Sequence, residues 1–230
     1  MKTKQSDNRK NSCRDAMLLY AVTDRRWTGN QTLLEQVESA LRGGVTCIQL
    51  REKGAEEEEF LAEAIAMKKL CQEYQTPFII NDNVNIAIKC SADGVHVGQN
   101  DMNVRDVRAL VGENMIIGVS ARTVEQALAA EAAGADYLGT GAVFSTATKT
   151  NACALSHQTL TEICQAVQIP VVAIGGIDKN NILQLSGSGV DGVALVSAVF
   201  AAEQIEEECR LLKNLSRKIT AKEDGTLAAG

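Results

Sequence analysis

Histidine, proline and aromatic side chains are scarce in this chain. It holds 2 Pro, 2 His and 1 Trp, and 3% of its residues are aromatic. His96 and His157 are its only imidazoles, which excludes a histidine-rich metal centre. So few aromatics argue against a base-stacking platform for single-stranded nucleic acid. No apolar run approaches the roughly 18 residues that span a bilayer. The polar, basic residues 1–15 lack the apolar stretch of a signal peptide. The seven cysteines, at 13, 47, 71, 90, 153, 164 and 209, are odd in number and form no CxxC pair, so idle thiols in a reducing compartment are expected. Lys plus Arg is 23 against 29 Asp plus Glu, a net charge of −6. That balance gives no general attraction for nucleic acid or anionic membrane. The reading is a cytoplasmic protein that binds neither, and any anionic ligand needs a local cluster of cations.

Short apolar runs alternate with helical patterns from end to end. The runs are 18–24, 46–51, 78–82, 94–98, 116–120, 137–141, 171–175 and 192–197. Most are β-branched and apolar on both faces, as buried parallel strands read. Helical periodicity covers 32–42, 56–74, 123–133, 156–167 and 200–218, with room for two turns at 84–90. Thr123 and Ser156 are candidate helix caps, and the acidic run 56–59 suits a solvated helix start. A weak repeat recurs as AAGADYLGTG (132–141), GSGVDGVALV (187–196) and, in part, SADGVHVG (91–98). Its glycine fits a left-handed helix end, the joint of a βα unit. Eight units in one chain favour a single-domain α/β TIM (β/α)8 barrel over 17–219, with tails at 1–16 and 220–230.

In such a barrel the active site lies at the C-terminal strand ends. Here those ends are polar: Thr23-Asp24, Gln49 to Lys53, Asn81-Asp82, Gly98 to Asp101, Ser120, Thr146 to Lys149, Gly175-Gly176 and Val196-Ser197. Asp82 and Asp101 are hard oxygen ligands able to share one Mg2+; the alternative is that each caps the following helix. Arg51, Lys53 and Lys149 are cations in an acidic protein, suited to phosphate groups. Gly175-Gly176 and Val196-Ser197 occupy the barrel's usual phosphate pocket, where a Cβ would block close approach. Two anionic groups are therefore expected, and Mg2+ with the cations suits a pyrophosphate leaving group. Tyr20 and His96 read as core residues of strands one and four, and His157 as an exposed helix start.

The segments YAVTD (20–24), QLREK (49–53), IIND (79–82), DGVHVGQND (93–101), DYLGTGAVFSTATK (136–149), PVVAIGGI (170–177) and GVDGVALVSA (189–198) occur in order. Together they resemble the thiamine-phosphate synthases, also called thiamine-phosphate pyrophosphorylases. The resemblance implies a transferase that joins a hydroxymethylpyrimidine diphosphate to a thiazole phosphate, releasing pyrophosphate, with one Mg2+ per subunit. It assigns Gln49, Leu50, Arg51, Glu52, Lys53, Asn81, Ser120 and Lys149 to the pyrimidine diphosphate, with Arg51, Lys53, Ser120 and Lys149 catalytic. It assigns Asp82 and Asp101 to the metal, and Thr146, Ala147, Thr148, Gly176, Val196 and Ser197 to the thiazole phosphate. A carboxylated thiazole is an allowed form, and a homo-oligomer is compatible with this reading. The family's reaction is dissociative and needs no strong general base, in keeping with so little histidine. The chain departs from the family at Ala142 and Ser145, where prolines usually stand, so a more mobile loop and weaker thiazole phosphate binding are expected. The rivals are a related thiazole tautomerase without transferase activity, a sugar-phosphate isomerase and a non-enzymatic phospholigand sensor. None of these requires the whole set of acids and cations.

Overall fold

Eight short strands close into a parallel barrel in sequence order, β1-β2-β3-β4-β5-β6-β7-β8, with β8 paired to β1. The computed structural model describes residues 13–145 and 154–221. The strands are β1 Leu19–Val22, β2 Cys47–Leu50, β3 Phe78–Asn81, β4 Gly94–Val97, β5 Ile116–Ala121, β6 Tyr137–Gly141, β7 Val171–Ile174 and β8 Gly192–Leu195. Around them lie α1 Leu33–Arg42, α2 Glu57–Glu73, α3 Val84–Lys89, α4 Val104–Val111, α5 Val124–Ala132, α6 His157–Ala166, α7 Ser197–Phe200 and α8 Ile205–Thr220. Short 3-10 turns at Arg25–Trp27 and Ile182–Leu185 complete the ring. Among the described residues no helix is long and apolar enough to cross a membrane.

The alternation along each strand divides the core in two. Leu19, Ala21, Ile48, Leu50, Ile80, Val95 and Val97 pack outward under the helices. Tyr20, Val22, Cys47, Ile79, Tyr137, Val172 and Ala194 fill the barrel interior. A side-chain period of two therefore sends Gln49, Asn81, His96 and Ser120 inward as well. The helix starts follow their side chains. Thr32 and Glu35 form a reciprocal capping box on α1, and Thr123 and Ser156 cap α5 and α6.

The repeat in the sequence has a physical meaning. Thr46, Asp93, Asp136 and Asp191 each precede an even-numbered strand. Each side chain accepts a backbone N–H from the start of the preceding odd-numbered strand. The donors are Leu19, Phe78, Ile117 and Val171, all at 2.8 Å. Two residues before each acceptor the chain turns left-handed, at Gly44, Ser91, Gly134 and Gly189. Lys68, Arg108 and Arg14 pair with the three aspartates. These joints pin the N-terminal end of the barrel.

Three details differ from the sequence reading. α4 lies in a gap where no helix was named. The closing helix is broken, as α7 and α8, by residues 201–204. Residues 13–16, counted with the leading tail, form a helical turn whose Cys13 and Ala16 are buried against the barrel floor.

Candidate active site

A cavity of about 510 Å3 opens at the C-terminal mouth of the barrel. Its wall includes Gln49, Arg51, Lys53, Asn81, Asp82, Asp101, Ser120, Gly176, Val196 and Ser197, so ten of the sixteen candidate residues converge there. A larger hollow of about 800 Å3 lies at the opposite end, but its charged groups Lys68, Asp93 and Asp136 are engaged in the strand joints.

Two candidates turn away from the cavity. Leu50 is fully buried on the helix side of β2. The Glu52 side chain is 3% exposed and accepts the Arg25 Nε–H at 2.8 Å. Thr146, Ala147, Thr148 and Lys149 lie outside the described residues.

Asp82 and Asp101 are not helix caps. Asn83 caps α3 by accepting the Ile86 N–H at 3.0 Å, and Asn103 caps α4. The two carboxyl groups instead face one another. Burial first, and then the neighbouring Asp101, push the Asp82 pKa up, while Lys53, 3.9 Å from its Oδ2, opposes the rise. Asp82 sits at φ 63°, a left-handed conformation costly for a residue with a Cβ. Asp101 Oδ2 accepts the Gly98 N–H at 2.7 Å, which fixes the carboxylate at the end of β4. A pair of carboxylates, Asp82 partly buried and Asp101 exposed, fits Mg2+, which keeps most of its coordination for water and phosphate. Among the described residues no group of three His, Cys, Asp or Glu side chains forms a fuller metal cage.

Below these charges runs a polar chain. Gln49 Nε2 donates to Tyr20 Oη at 2.7 Å, and the Tyr20 and Tyr137 hydroxyls meet at 2.8 Å. His96 Nδ1 is 2.9 Å from Tyr137 Oη, and His96 Nε2 is 3.0 Å from Ser120 Oγ. Gly118 makes room for the Tyr137 ring, since a Cβ there would lie 2.1 Å from Cζ. Burial pushes both tyrosine pKa values well above the usual range, so both hydroxyls keep their protons. The amide nitrogen of Gln49 only donates, so we assign the chain the one direction in which every hydroxyl proton finds an acceptor. Tyr20 donates to Tyr137, Tyr137 to His96 Nδ1, and His96 Nε2–H to Ser120. This leaves the Ser120 hydroxyl, in the cavity wall, its own proton to donate.

On the far side, Gly175 and Gly176 carry left-handed φ values of 99° and 70°. A Cβ on Gly176 would meet the carbonyl oxygens of Ser145 at 2.4 Å and Phe144 at 2.8 Å. The close neighbour that demands glycine is therefore the protein's own backbone after β6. Val143 and Phe144 donate to the Ile174 and Gly175 carbonyls, both at 3.0 Å.

The family model described as thiamine monophosphate synthase matches residues 19–199. The chain belongs to the thiamine monophosphate synthase family. It is 47% identical over 194 residues to a thiamine-phosphate synthase of Ruminiclostridium cellulolyticum, covering 84% of this chain and 92% of that one. The thiamine-phosphate synthase of Enterococcus faecalis is 47% identical over 206 residues, 90% of this chain and 97% of that one. The structure of a thiamine phosphate pyrophosphorylase from Pyrococcus furiosus superposes with a TM-score of 0.84 at 38% identity, over 90% and 99% of the two chains. As a member of the thiamine monophosphate synthase family, the chain is an enzyme, a transferase.

Arg122 is a cavity residue that the sequence reading missed, and Asp24 and Gln99, named there as polar strand ends without a role, line the cavity too. Arg122 follows Ser120 by two residues at the end of β5, so its strand-end position was the available signal. Gln99 Nε2 donates to the Ser120 carbonyl at 2.6 Å and ties the β4 and β5 loops together.

Proposed function

We propose that the chain condenses a hydroxymethylpyrimidine diphosphate with a thiazole phosphate to give thiamine phosphate and pyrophosphate. The observation that carries this reading is the cavity itself. A carboxylate pair not used for capping and two cations stand on one side, and the Gly175-Gly176 turn with Val196-Ser197 stands on the other. A site for one small phosphoester needs only the second half.

In this reading Arg51 and Lys53 receive the diphosphate, with Lys149 as a third cation. Gln49, Asn81 and Ser120 orient the pyrimidine, the last through its outward hydroxyl. Leu50 and Glu52 contribute by holding the β2 loop and not by contact. Thr146, Ala147 and Thr148, with Gly176, Val196 and Ser197, take the thiazole phosphate, in plain or carboxylated form. Asp82 and Asp101 would hold one Mg2+, which when bound supplies compensation for charge growing on the leaving pyrophosphate. The reaction is dissociative. The C–O bond to pyrophosphate breaks first, and the thiazole nitrogen then captures the pyrimidine methylene cation. Arg51 and Lys53 stabilise the departing oxygens, and the cavity walls align the two rings.

The test is to mix protein, Mg2+ and both substrates and follow pyrophosphate release. Release with thiamine phosphate formation is expected; thiazole tautomer interconversion alone overturns the reading in favour of a tautomerase. Asp101→Asn is expected to lower the rate sharply and raise the Mg2+ requirement. If both are unchanged, the metal assignment is wrong.

A further inference from the structure

The residues after β1 hold the β2 loop at three points. Thr23 is fully buried, and its Oγ1 accepts the Arg51 backbone N–H at 3.0 Å. Asp24 is 5% exposed, and its Oδ2 lies 3.8 Å from Arg51 Nη1. Arg25 Nε donates to Glu52 Oε2 at 2.8 Å, and Arg25 Nη2 reaches Glu63 Oε2 on α2 at 2.5 Å.

The pairing of Asp24 is unequal. Arg26 contacts it through the backbone N at 3.1 Å, Nε at 3.0 Å and Nη2 at 2.6 Å. These bonds hold the Asp24 carboxyl below its usual pKa range, so it is ionised at neutral pH. Arg51 meets the same carboxylate only at the longer 3.8 Å. It is oriented by Asp24 without being bound in the two-pronged manner that would use up its donors.

Glu52 supports the loop from behind. Its carboxylate is almost wholly removed from water, and its Oε1 has no hydrogen-bond partner among the described residues. Such a group is strongly destabilising without its counter-charge, so Arg25 fixes it in place. With Glu52 turned outward, Arg51 and Lys53 face the cavity, as alternation along an extended segment requires.

We propose that Thr23 and Asp24 are positioning residues for Arg51, and that Arg25 with Glu52 anchors the loop that carries it. The proposal rests on the reading above, in which Arg51 receives the diphosphate. Its physical content is preorganisation. A guanidinium already aimed at the anion loses less side-chain freedom on binding.

Simple electrostatics and positioning give opposite signs for one substitution. Asp24→Asn removes a negative charge beside an anion site. If charge alone mattered, the diphosphate would bind more tightly. If Asp24 aims Arg51, it binds more weakly. Thr23→Val removes the hydroxyl acceptor and leaves every charge in place; Thr23→Ser keeps the acceptor.

The experiment measures KM for each substrate by pyrophosphate release, and the affinity for inorganic pyrophosphate with Mg2+ by titration calorimetry. Both Asp24→Asn and Thr23→Val are expected to raise the pyrimidine diphosphate KM roughly tenfold, the upper end of the net weight of one hydrogen bond. Pyrophosphate affinity should fall by a similar factor, the thiazole phosphate KM should stay put, and Thr23→Ser should restore both. An unchanged or lower diphosphate KM in Thr23→Val, or an equal rise in both KM values, overturns the proposal. Thr23→Val and Thr23→Ser decide it if Asp24→Asn does not fold. If wild-type protein takes up pyrophosphate but releases none from the two substrates, the transferase reading fails, and the calorimetric comparison still decides the positioning role.

Discussion

Replacing Tyr137 with Phe removes one oxygen from the middle of the polar chain and leaves the ring in place. Two bonds go with it, 2.8 Å to Tyr20 and 2.9 Å to His96. Tyr20 is left with a buried hydroxyl that has lost its acceptor. His96 is left with an Nδ1 that has lost its donor. Each orphaned group costs about 1–3 kcal/mol, so roughly 3 kcal/mol is expected for the pair. In a chain of this size that lowers Tm by about 6–12 °C. Tyr20→Phe is the control, because Tyr137 then keeps its own proton to donate to His96. The assay is thermal unfolding of both variants, together with ring 15N shifts of His96 by NMR. The Nε2–H tautomer is expected in the wild type and in Tyr20→Phe, and a mixture in Tyr137→Phe. A wild-type His96 with the proton on Nδ1 refutes the direction assigned to the chain, and a Tyr137→Phe variant within about 2 °C of the wild type refutes the cost assigned to its two bonds.

Burial pushes the thiols of Cys71 and Cys209 up to about 12. Their folded pKa values lie above the unfolded value, so their contribution is fully present below about pH 8.5 and is lost as pH rises toward the folded value. Stability should fall by about 1–2 kcal/mol per thiol between pH 8 and pH 10, and urea unfolding of a Cys71→Ala, Cys209→Ala double variant should show a visibly smaller drop. Asp136→Ala strips the acceptor from Ile117 N–H and the partner from Arg108, and is expected to cost about 2–3 kcal/mol in urea unfolding; a loss under about 0.5 kcal/mol denies the joint its role. Ala142 accepts the Leu155 N–H and its neighbours are tied to β7, so Ser145→Pro is expected to lower the thiazole phosphate KM more than Ala142→Pro does. An unchanged or higher KM in Ser145→Pro removes the loop-entropy argument.

Much of the barrel was legible because its strands are buried on both faces and so read as unbroken apolar runs. The joints were legible too, as a spaced glycine and aspartate. α4 was missed because its buried face is only Val104 and Val107, and its cap Asn103 closes a polar stretch that read as a site loop. The break at 201–204 carries no Pro or Gly, so nothing local announced it. The fate of Glu52 was hidden for a different reason. Sequence placed it between two cations at a strand end, but its partner Arg25 comes from the neighbouring strand's loop. Gly176 was legible as a demand for space, but its backbone neighbours were not, because the Phe144 and Ser145 carbonyls arrive from 31 or more residues away in sequence.

The lone imidazole of the cavity wall argues against proton abstraction as its task. Both ring nitrogens of His96 are engaged, one with Tyr137 and one with Ser120. A general base needs an accessible lone pair aimed at substrate. In the assigned direction the lone pair of Nδ1 accepts the Tyr137 proton. What the ring then offers upward is its Nε2–H, 3.0 Å from Ser120 Oγ. The groups beyond it include the Asp82 and Asp101 carboxylates and the cations Arg51, Lys53 and Arg122, an arrangement able to neutralise charge as a bond breaks. The scarcity of histidine and this wiring of the one in the cavity both fit the proposed reaction, in which leaving-group charge is compensated at the mouth and the His96 imidazole orients the Ser120 hydroxyl.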